Sequence, residues 1–444
     1  MAATASRWTE FEGALFRLTE GLTMWRLANH VRRYAWGSTT EIPRLLGTEP
    51  DGQPQAELWL GAHPSAPSRI ADGAIPVGLD AAIAADPVAT LGSDIAENFE
   101  ERLPFLLKFL AVDQPLSLQA HPSKERARAG FAAEEAAGVP VDAPHRNYRD
   151  ANHKPELVLA LGEFEALCGF RSPSAAAADL AGLASPLARA LRADLSATDP
   201  SEALRSAMTR LLTLPADDRA ALVTETTAEL AGRAAPLHRH LRAVLDLAER
   251  YPGDPGAVAA LLLNHVVLRP GQALFLPAGN VHAYLGGVAV EVMATSDNVL
   301  RAGLTTKHVD PEELLRVLDY TVLPVPYVEP VVRDGLLEYR PEIDDFALVV
   351  AEPGDKAVWL PEGPAIALVL DGSVELHAPS EEILALSRGE SVFLSAETGS
   401  VLVSGRGRVV VATVAHPPTA ARSTPRDDNR WPAVHPALDP VNPR

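Results

Sequence analysis

One stretch of this chain occurs twice. Residues 269–282, from Arg269 to His282, align with residues 387–400, from Ser387 to Ser400. In that alignment Gly271 matches Gly389, Phe275 matches Phe393 and Ala278 matches Ala396. A turn glycine, a short apolar strand and a small-residue corner recur in double-stranded β-helix, or jelly-roll, barrels. The repeat therefore predicts two such barrels. His282 falls opposite Ser400, so a polar group that serves as a ligand in the first barrel has no equivalent in the second.

Before the first copy, the pattern changes. Leu106 to Leu118 is mostly apolar around the turn Asp113-Gln114-Pro115 and reads as strand, turn, strand. His153 to Leu161 reads as a strand with an apolar second half. Residues 172–263 are dense in Ala, Leu, Arg and Glu, with apolar positions at helical spacing and prolines at 215, 236, 252 and 255. They are expected to form a helical insertion. The predicted organisation is an N-terminal extension (1–23), the first part of a catalytic barrel (24–171), the helical insertion (172–263), the rest of that barrel (264–325), a metal-free second barrel (326–415) and a disordered tail (416–444). The fold class is thus mainly β with an inserted helical domain.

A strand alternates its faces, so residues two apart point together. Ser117, Gln119 and His121 share one face, as do Lys154 and Glu156, and His282 and Tyr284. The opposite faces carry Leu116 and Leu118, Pro155 and Leu157, and Val281 and Ala283. Polar groups on an otherwise apolar wall are costly without partners. Gln119, His121, Glu156 and His282 together offer the nitrogen and oxygen ligands of a single zinc. Apart from His153, which adjoins Lys154, the other ten histidines have no such company, and Glu163 and Glu165 read as solvated loop carboxylates. Arg301 and Lys307 are a guanidinium and an ammonium suited to phosphate. Alternatively, Arg301 and Lys307 serve in a surface ion pair with Asp297 or Asp310.

The formal net charge is −19, which argues against nucleic acid or an anionic membrane as partner. No apolar stretch approaches the ~20 residues of a membrane span. The beginning of the chain, with Arg7, Glu10 and Glu12, does not read as a signal peptide. Cys168 is the single cysteine, so no intrachain disulfide can form. It lies in an apolar run and reads as a buried structural thiol. A monomer in the reducing cytoplasm is expected.

Four segments carry a family likeness: Tyr34-Ala-Trp-Gly-Ser38, Ala56 to Pro64, Tyr148-Arg-Asp-Ala-Asn-His-Lys-Pro-Glu156, and His282 to Leu304. Along most of residues 24–415 the chain resembles the type I phosphomannose isomerases of the cupin superfamily. The resemblance implies one zinc per chain, held by Gln119, His121, Glu156 and His282, and an active-site role for Arg301. It places Lys108, Ser117, Lys154, Glu291 and Lys307 in the substrate pocket. Where the family has Thr-Pro-Lys, this chain has Thr305-Thr306-Lys307.

The reaction so implied interconverts mannose 6-phosphate and fructose 6-phosphate. Ligands for a single metal favour proton transfer through a cis-enediol over hydride transfer, which generally wants a metal pair. Glu291, Lys154 and His153 are the candidate bases, and Arg301 orients the diol or holds phosphate. Ser117, Lys108, Tyr284 and Lys307 are the expected substrate contacts. Two alternatives are an iron-dependent cupin oxygenase, against which the fourth ligand Gln119 argues, and a non-catalytic sugar-phosphate-binding cupin.

Overall fold

The computed structural model describes residues 23–71, 77–233, 236–354, 356–360 and 362–415. The expected N-terminal extension up to residue 22 and the expected tail at 416–444 lie outside the described residues. Two eleven-stranded antiparallel sheets dominate the structure. No helix among the described residues is long and apolar enough to cross a membrane.

The first sheet is organised around one long strand, His282–Ala294. Its beginning pairs with Phe164–Phe170 and Leu118–Ala120. Its remainder pairs with Phe105–Val112 and Glu156–Ala160. The change of partner coincides with a register shift between Tyr284 and Gly286. Gly287 sits there at φ +115°, and a Cβ on it would lie 2.4 Å from the Glu163 carbonyl. Only glycine lets the strand turn this corner while its neighbour stays so close. The expected strand from His153 starts only at Glu156.

The two copies of the repeat fall one in each sheet. Gly271 and Gly389 adopt φ +85° and +84°, and each leads into a four-residue buried strand, Ala273–Leu276 and Ser391–Leu394. Ser400, opposite His282 in the repeat, donates its hydroxyl to Glu362. The expected assignment of all of 24–171 to the catalytic barrel needs correction. Met24–Ala28 pairs with Ser391–Leu394 of the C-terminal sheet, and Arg69–Ile70 and Val77–Gly78 continue that sheet. Glu382 accepts the N–H groups of Thr23 and Met24, fixing the strand there. A short apolar strand specifies a buried face but not its partner, so this long-range pairing has no local signature.

The helical insertion is present as expected, from Pro173–Asp179 to Pro255–Ala259, closing with a 3-10 turn at Ala260–Leu262 before the strand at Leu263. Ser172, Asp199 and Asp254 cap its helices, each followed by proline at the first helical position. Its core leucines, among them Leu187, Leu191, Leu204 and Leu211, share one cluster with Leu118, Ala120, Val281 and Ala283. Those four are the apolar faces of the strands carrying Gln119 and His282. The insertion therefore backs the wall that presents the candidate ligands.

Candidate active site

Three of the predicted ligands converge. One ligand atom each from His121, Glu156 and His282 lies within 4.8 Å of the others, and all three residues are buried. His121 Nε2 is 3.4 Å from Glu156 Oε1, and His282 Nε2 is 3.3 Å from Glu156 Oε2. Ligands at tetrahedral angles and 2.0–2.1 Å from a zinc stand about 3.4 Å apart. His121 donates its Nδ1–H to the carbonyl of Asn298 at 2.7 Å, and His282 donates its own to Asn280 at 3.0 Å. Both rings thus keep a bare Nε2 lone pair aimed inward, the usual outer-shell arrangement of metal-bound histidine.

His121 Nε2 and Glu156 Oε2 are buried without a hydrogen-bond partner. Such orphans are costly unless something absent from the protein atoms satisfies them. Burial and the Lys154 charge push the His121 imidazole down to about 4. Burial opposes ionisation of Glu156, but Lys154 and His121 outweigh it and hold the carboxyl well below its usual range. A neutral His121 beside an ionised Glu156 fits a divalent cation. Gln119 pairs with His282 across the sheet and brings its amide within 3.4 Å of His282 Nε2. Half a turn of that amide would aim its carbonyl oxygen, a neutral acceptor, at the same point.

A polar wall continues from the ligands along one face of the sheet. Trp59, Lys108 and Glu291 are register partners on neighbouring strands. Lys108 Nζ donates to Glu291 Oε2 at 2.9 Å and stands 3.9 Å from Glu57. Tyr284 donates its hydroxyl to Glu291 Oε1 at 2.8 Å. Burial raises both Glu291 and Tyr284 above their usual ranges, with Lys108 pulling Glu291 back. Lys154 Nζ binds Glu156 Oε1 at 2.6 Å.

These groups line a cleft of about 610 Å³, together with Ser117, Gln119, Asp297, Arg149, Arg301 and Lys307. The alternative reading of Arg301 as half of an ion pair does not hold. Asp310 caps Glu313 and accepts from Asn147, and Asp297 faces His63. Among the described residues Arg149, Arg301 and Lys307 have no carboxylate at ion-pair distance. Burial and the Arg149 charge lower Arg301, while burial, Arg301 and Arg149 lower Lys307. The turn that lacks the family's proline is held by Thr305, whose Oγ1 accepts the Lys307 N–H at 3.1 Å, and Lys307 still reaches the cleft.

One predicted site residue is elsewhere. His153 is not part of the cleft lining and pairs its Nε2 with Asp345 at 3.0 Å. His153 lies ahead of the strand that begins at Glu156, so alternation does not govern it: its ring turns to Asp345 while Lys154 faces the cleft. Glu165 is also no solvated loop carboxylate. It lies in a strand and binds His265 and Arg239. Cys168 is buried as expected, and burial pushes its thiol up to about 12.

Sequence reasoning missed Glu57, Trp59, His63, Arg149 and Asp297 as cleft residues. Glu57 and Trp59 stand two apart in an apolar strand, so the alternation that singled out Gln119 and His121 applies to them equally.

The model of the type I phosphomannose isomerase catalytic domain matches residues 24–173, and that of the mannose-6-phosphate isomerase cupin domain matches residues 339–414. The mannose-6-phosphate isomerase of Escherichia coli K12 is 40% identical over 393 residues, covering 87% of this chain and 98% of its own. The human mannose-6-phosphate isomerase is 34% identical over 404 residues, covering 82% and 92%. The crystal structure of the Salmonella typhimurium mannose 6-phosphate isomerase bound to its substrate, fructose 6-phosphate, and to zinc superposes with a TM-score of 0.81 at 39% identity, over 88% of this chain and 100% of that one. With the sheet, the ligand cluster and these matches together, the chain belongs to the type I phosphomannose isomerase family.

Proposed function

We propose that this chain interconverts mannose 6-phosphate and fructose 6-phosphate by proton transfer through a cis-enediol, using one zinc ion held by Gln119, His121, Glu156 and His282. The observation that carries this reading is the convergence of the unpartnered His121 Nε2 and Glu156 Oε2 with His282 Nε2 at the wall of a cleft bearing three unpaired cations. When bound, zinc supplies a Lewis acid for the oxygens on C1 and C2.

The chain's own groups divide the remaining work. Arg149, Arg301 and Lys307 hold the phosphate, which favours that role for Arg301 over orienting the diol. Fixing the phosphate places the other end of the open-chain sugar against the ligand wall, where Ser117 lines the cleft. The proton-transfer group follows by elimination among the cleft carboxylates. Glu57 is engaged by Trp59 and Lys108, Glu291 by Lys108 and Tyr284, and Glu156 by Lys154 and the histidines. Asp297 is bound at Oδ1 by His63, and among the described residues its Oδ2 has no hydrogen-bond partner. Burial pushes its carboxyl up, but His63, Lys154 and Lys108 hold it below the usual range, so it is an ionised acceptor at neutral pH. Lys154, beside Glu156, stays close enough to the reacting oxygens to steady negative charge there. Glu291 keeps a supporting role under Lys108.

A coupled isomerase assay, with and without chelator, tests the reading. Chelation is expected to abolish activity and zinc to restore it, and Arg301→Ala is expected to be inactive with zinc retained. Turnover that survives complete zinc removal would overturn the metal assignment. Iron with oxygen consumption would point to an oxygenase, and zinc-loaded protein without turnover to a binding protein.

A further inference from the structure

The helical insertion reaches two sides of the cleft through one turn, Tyr251-Pro252-Gly253-Asp254, closed by the Asp254 N–H on the Tyr251 carbonyl at 3.1 Å. Tyr251 lines the cleft. It donates its hydroxyl to the Pro115 carbonyl at 3.1 Å, in the loop that leads to Ser117. Asp254 reaches the other side. Its Oδ1 accepts the Gly256 N–H at 2.7 Å and caps the helix Pro255–Ala259. Its Oδ2 accepts the Thr305 N–H at 3.3 Å. The cap fixes the carboxylate, and the fixed carboxylate holds the turn that carries Lys307.

The backbone around this bond is built for close approach. The strand Leu300–Gly303 carries Arg301 and ends on Gly303 at φ +142°. A Cβ on Gly303 would lie 2.6 Å from Asp254 Oδ1 and 2.8 Å from the Gly256 Cα, so only glycine fits there. Leu304 follows at φ +55°, a left-handed conformation that non-glycine residues seldom adopt. Its side chain is buried in the core of the insertion. Past Thr305 this packing gives out, and Thr306, Lys307 and His308 are exposed. The Lys307 N–H is tied back to Thr305 Oγ1 at 3.1 Å, so the tether runs from Asp254 through Thr305 to Lys307. The Arg301 and Arg149 charges bear on Lys307, and like charges push apart. A turn free to swing would relieve that repulsion by carrying the ammonium into solvent. We propose that Asp254 is a positioning residue for Lys307: by binding the Thr305 N–H from the insertion, it keeps the ammonium beside Arg301 and Arg149, where the three cations can meet one phosphate. This rests on the proposed function in taking those cations as the phosphate site.

The test reads phosphate affinity directly, independent of turnover. Inorganic phosphate is titrated calorimetrically into zinc-loaded wild type, Asp254→Ser, Asp254→Asn, Lys307→Ala and Asp254→Ser/Lys307→Ala. Serine and asparagine both cap helices well, so the helix Pro255–Ala259 should hold in either variant. Serine is too short to reach Thr305 as well, and asparagine has one carbonyl oxygen for two N–H groups. Each is expected to bind phosphate at least threefold more weakly than wild type, and Lys307→Ala about tenfold more weakly. The double variant is expected to match Lys307→Ala within twofold, because Asp254 acts through the ammonium that is already gone. A general loosening of the cleft would weaken binding by the same factor with or without Lys307, and that result overturns the proposal. Wild-type affinity in both Asp254 variants overturns it too, and leaves the phosphate site standing if Lys307→Ala is weakened. Wild-type protein that binds no phosphate, or Lys307→Ala that binds it as wild type does, overturns the phosphate assignment of Lys307 and the inference with it.

Discussion

His121 and Arg149 are held by the same asparagine. The Asn298 carbonyl accepts the His121 Nδ1–H at 2.7 Å, and its side-chain Oδ1 accepts the Arg149 main-chain N–H at 2.7 Å. Asn298 Nδ2 meanwhile donates to the carbonyls of Asp150 and Asn152, each at 2.8 Å. One fully buried residue, by its main-chain carbonyl on one side and its side chain on the other, therefore ties the His121 wall to the loop carrying Arg149.

Removing that side chain strands several buried polar groups at once. Asn298→Ala is expected to lose about 3 kcal/mol of stability, from unsatisfied groups costing about 1–3 kcal/mol each. Its zinc affinity should drop by about 10–100-fold, the usual effect of disturbing an outer-shell partner. Thermal melts and competition with a chromophoric chelator measure the two effects. Zinc affinity equal to wild type would show that the His121 carbonyl partner survives without the side chain.

Zinc binding should also be visible as stability. A ligand that binds only the folded state stabilises it by about 2.7 kcal/mol at a hundredfold excess over Kd. Zinc is expected to raise the melting temperature of chelator-stripped wild type and of Arg301→Ala alike. It should leave Glu156→Ala unshifted, because Glu156 faces both histidines. A zinc-dependent shift in Glu156→Ala would remove that carboxylate from the ligand set.

The candidate ligands are legible in the sequence for the same reason that the second sheet's first strand is not. Gln119, His121, Glu156 and His282 betray themselves locally: polar residues at period two on strands whose other face is apolar. The burial behind them matches, since Leu118, Ala120, Val281 and Ala283 pack on the helical insertion. Met24–Ala28 carries no comparable mark. It pairs with Ser391–Leu394, more than three hundred residues away, and alternation fixes a strand's faces without naming its neighbour. His153 shows the same limit within the site. Adjacent to Lys154, it is a plausible base by proximity in sequence, yet it lies ahead of the strand and its ring pairs with Asp345. Asp297 and His63 were illegible because their pairing joins distant loops.

Glu291 offers a test of the wall behind the ligands. Its carboxylate is the nearest partner of the buried Lys108, at 2.9 Å, with Glu57 further away at 3.9 Å. Glu291→Leu leaves the ammonium with the weaker partner and frees the Tyr284 hydroxyl. Breaking a buried ion pair from one side costs about 3–5 kcal/mol, so a loss near the lower figure is expected. Denaturant unfolding measures it. A loss below about 1 kcal/mol, the range of exposed pairs, would mean that Glu57 or solvent replaces Glu291 fully.

The helical insertion should make the fold sensitive to acid at a site remote from the ligands. His240 Nδ1 accepts from Arg171 at 2.9 Å, and its Nε2–H donates to the Ala260 carbonyl at 2.9 Å. Its ring stacks on His265, centroids 5.6 Å apart. Protonation at Nδ1 would set a second positive charge against the Arg171 guanidinium. Burial, with Arg171 and His265, pushes this imidazole from 6.5 down to about 4. Between those values the unfolded chain binds the proton and the folded one does not, so stability must fall as pH falls. The stability is fully present above pH 6.5 and is lost progressively toward pH 4, by up to about 3 kcal/mol at about 1.4 kcal/mol per unit. Other carboxylates and histidines titrate in the same range, so the useful quantity is a difference. Urea unfolding of wild type and His240→Gln at pH 7.5, 6.0 and 5.0 gives it: the variant is less stable at pH 7.5, and the gap should narrow as the pH is lowered. Parallel curves across the three pH values would show that His240 is not an acid-sensitive contact of the insertion.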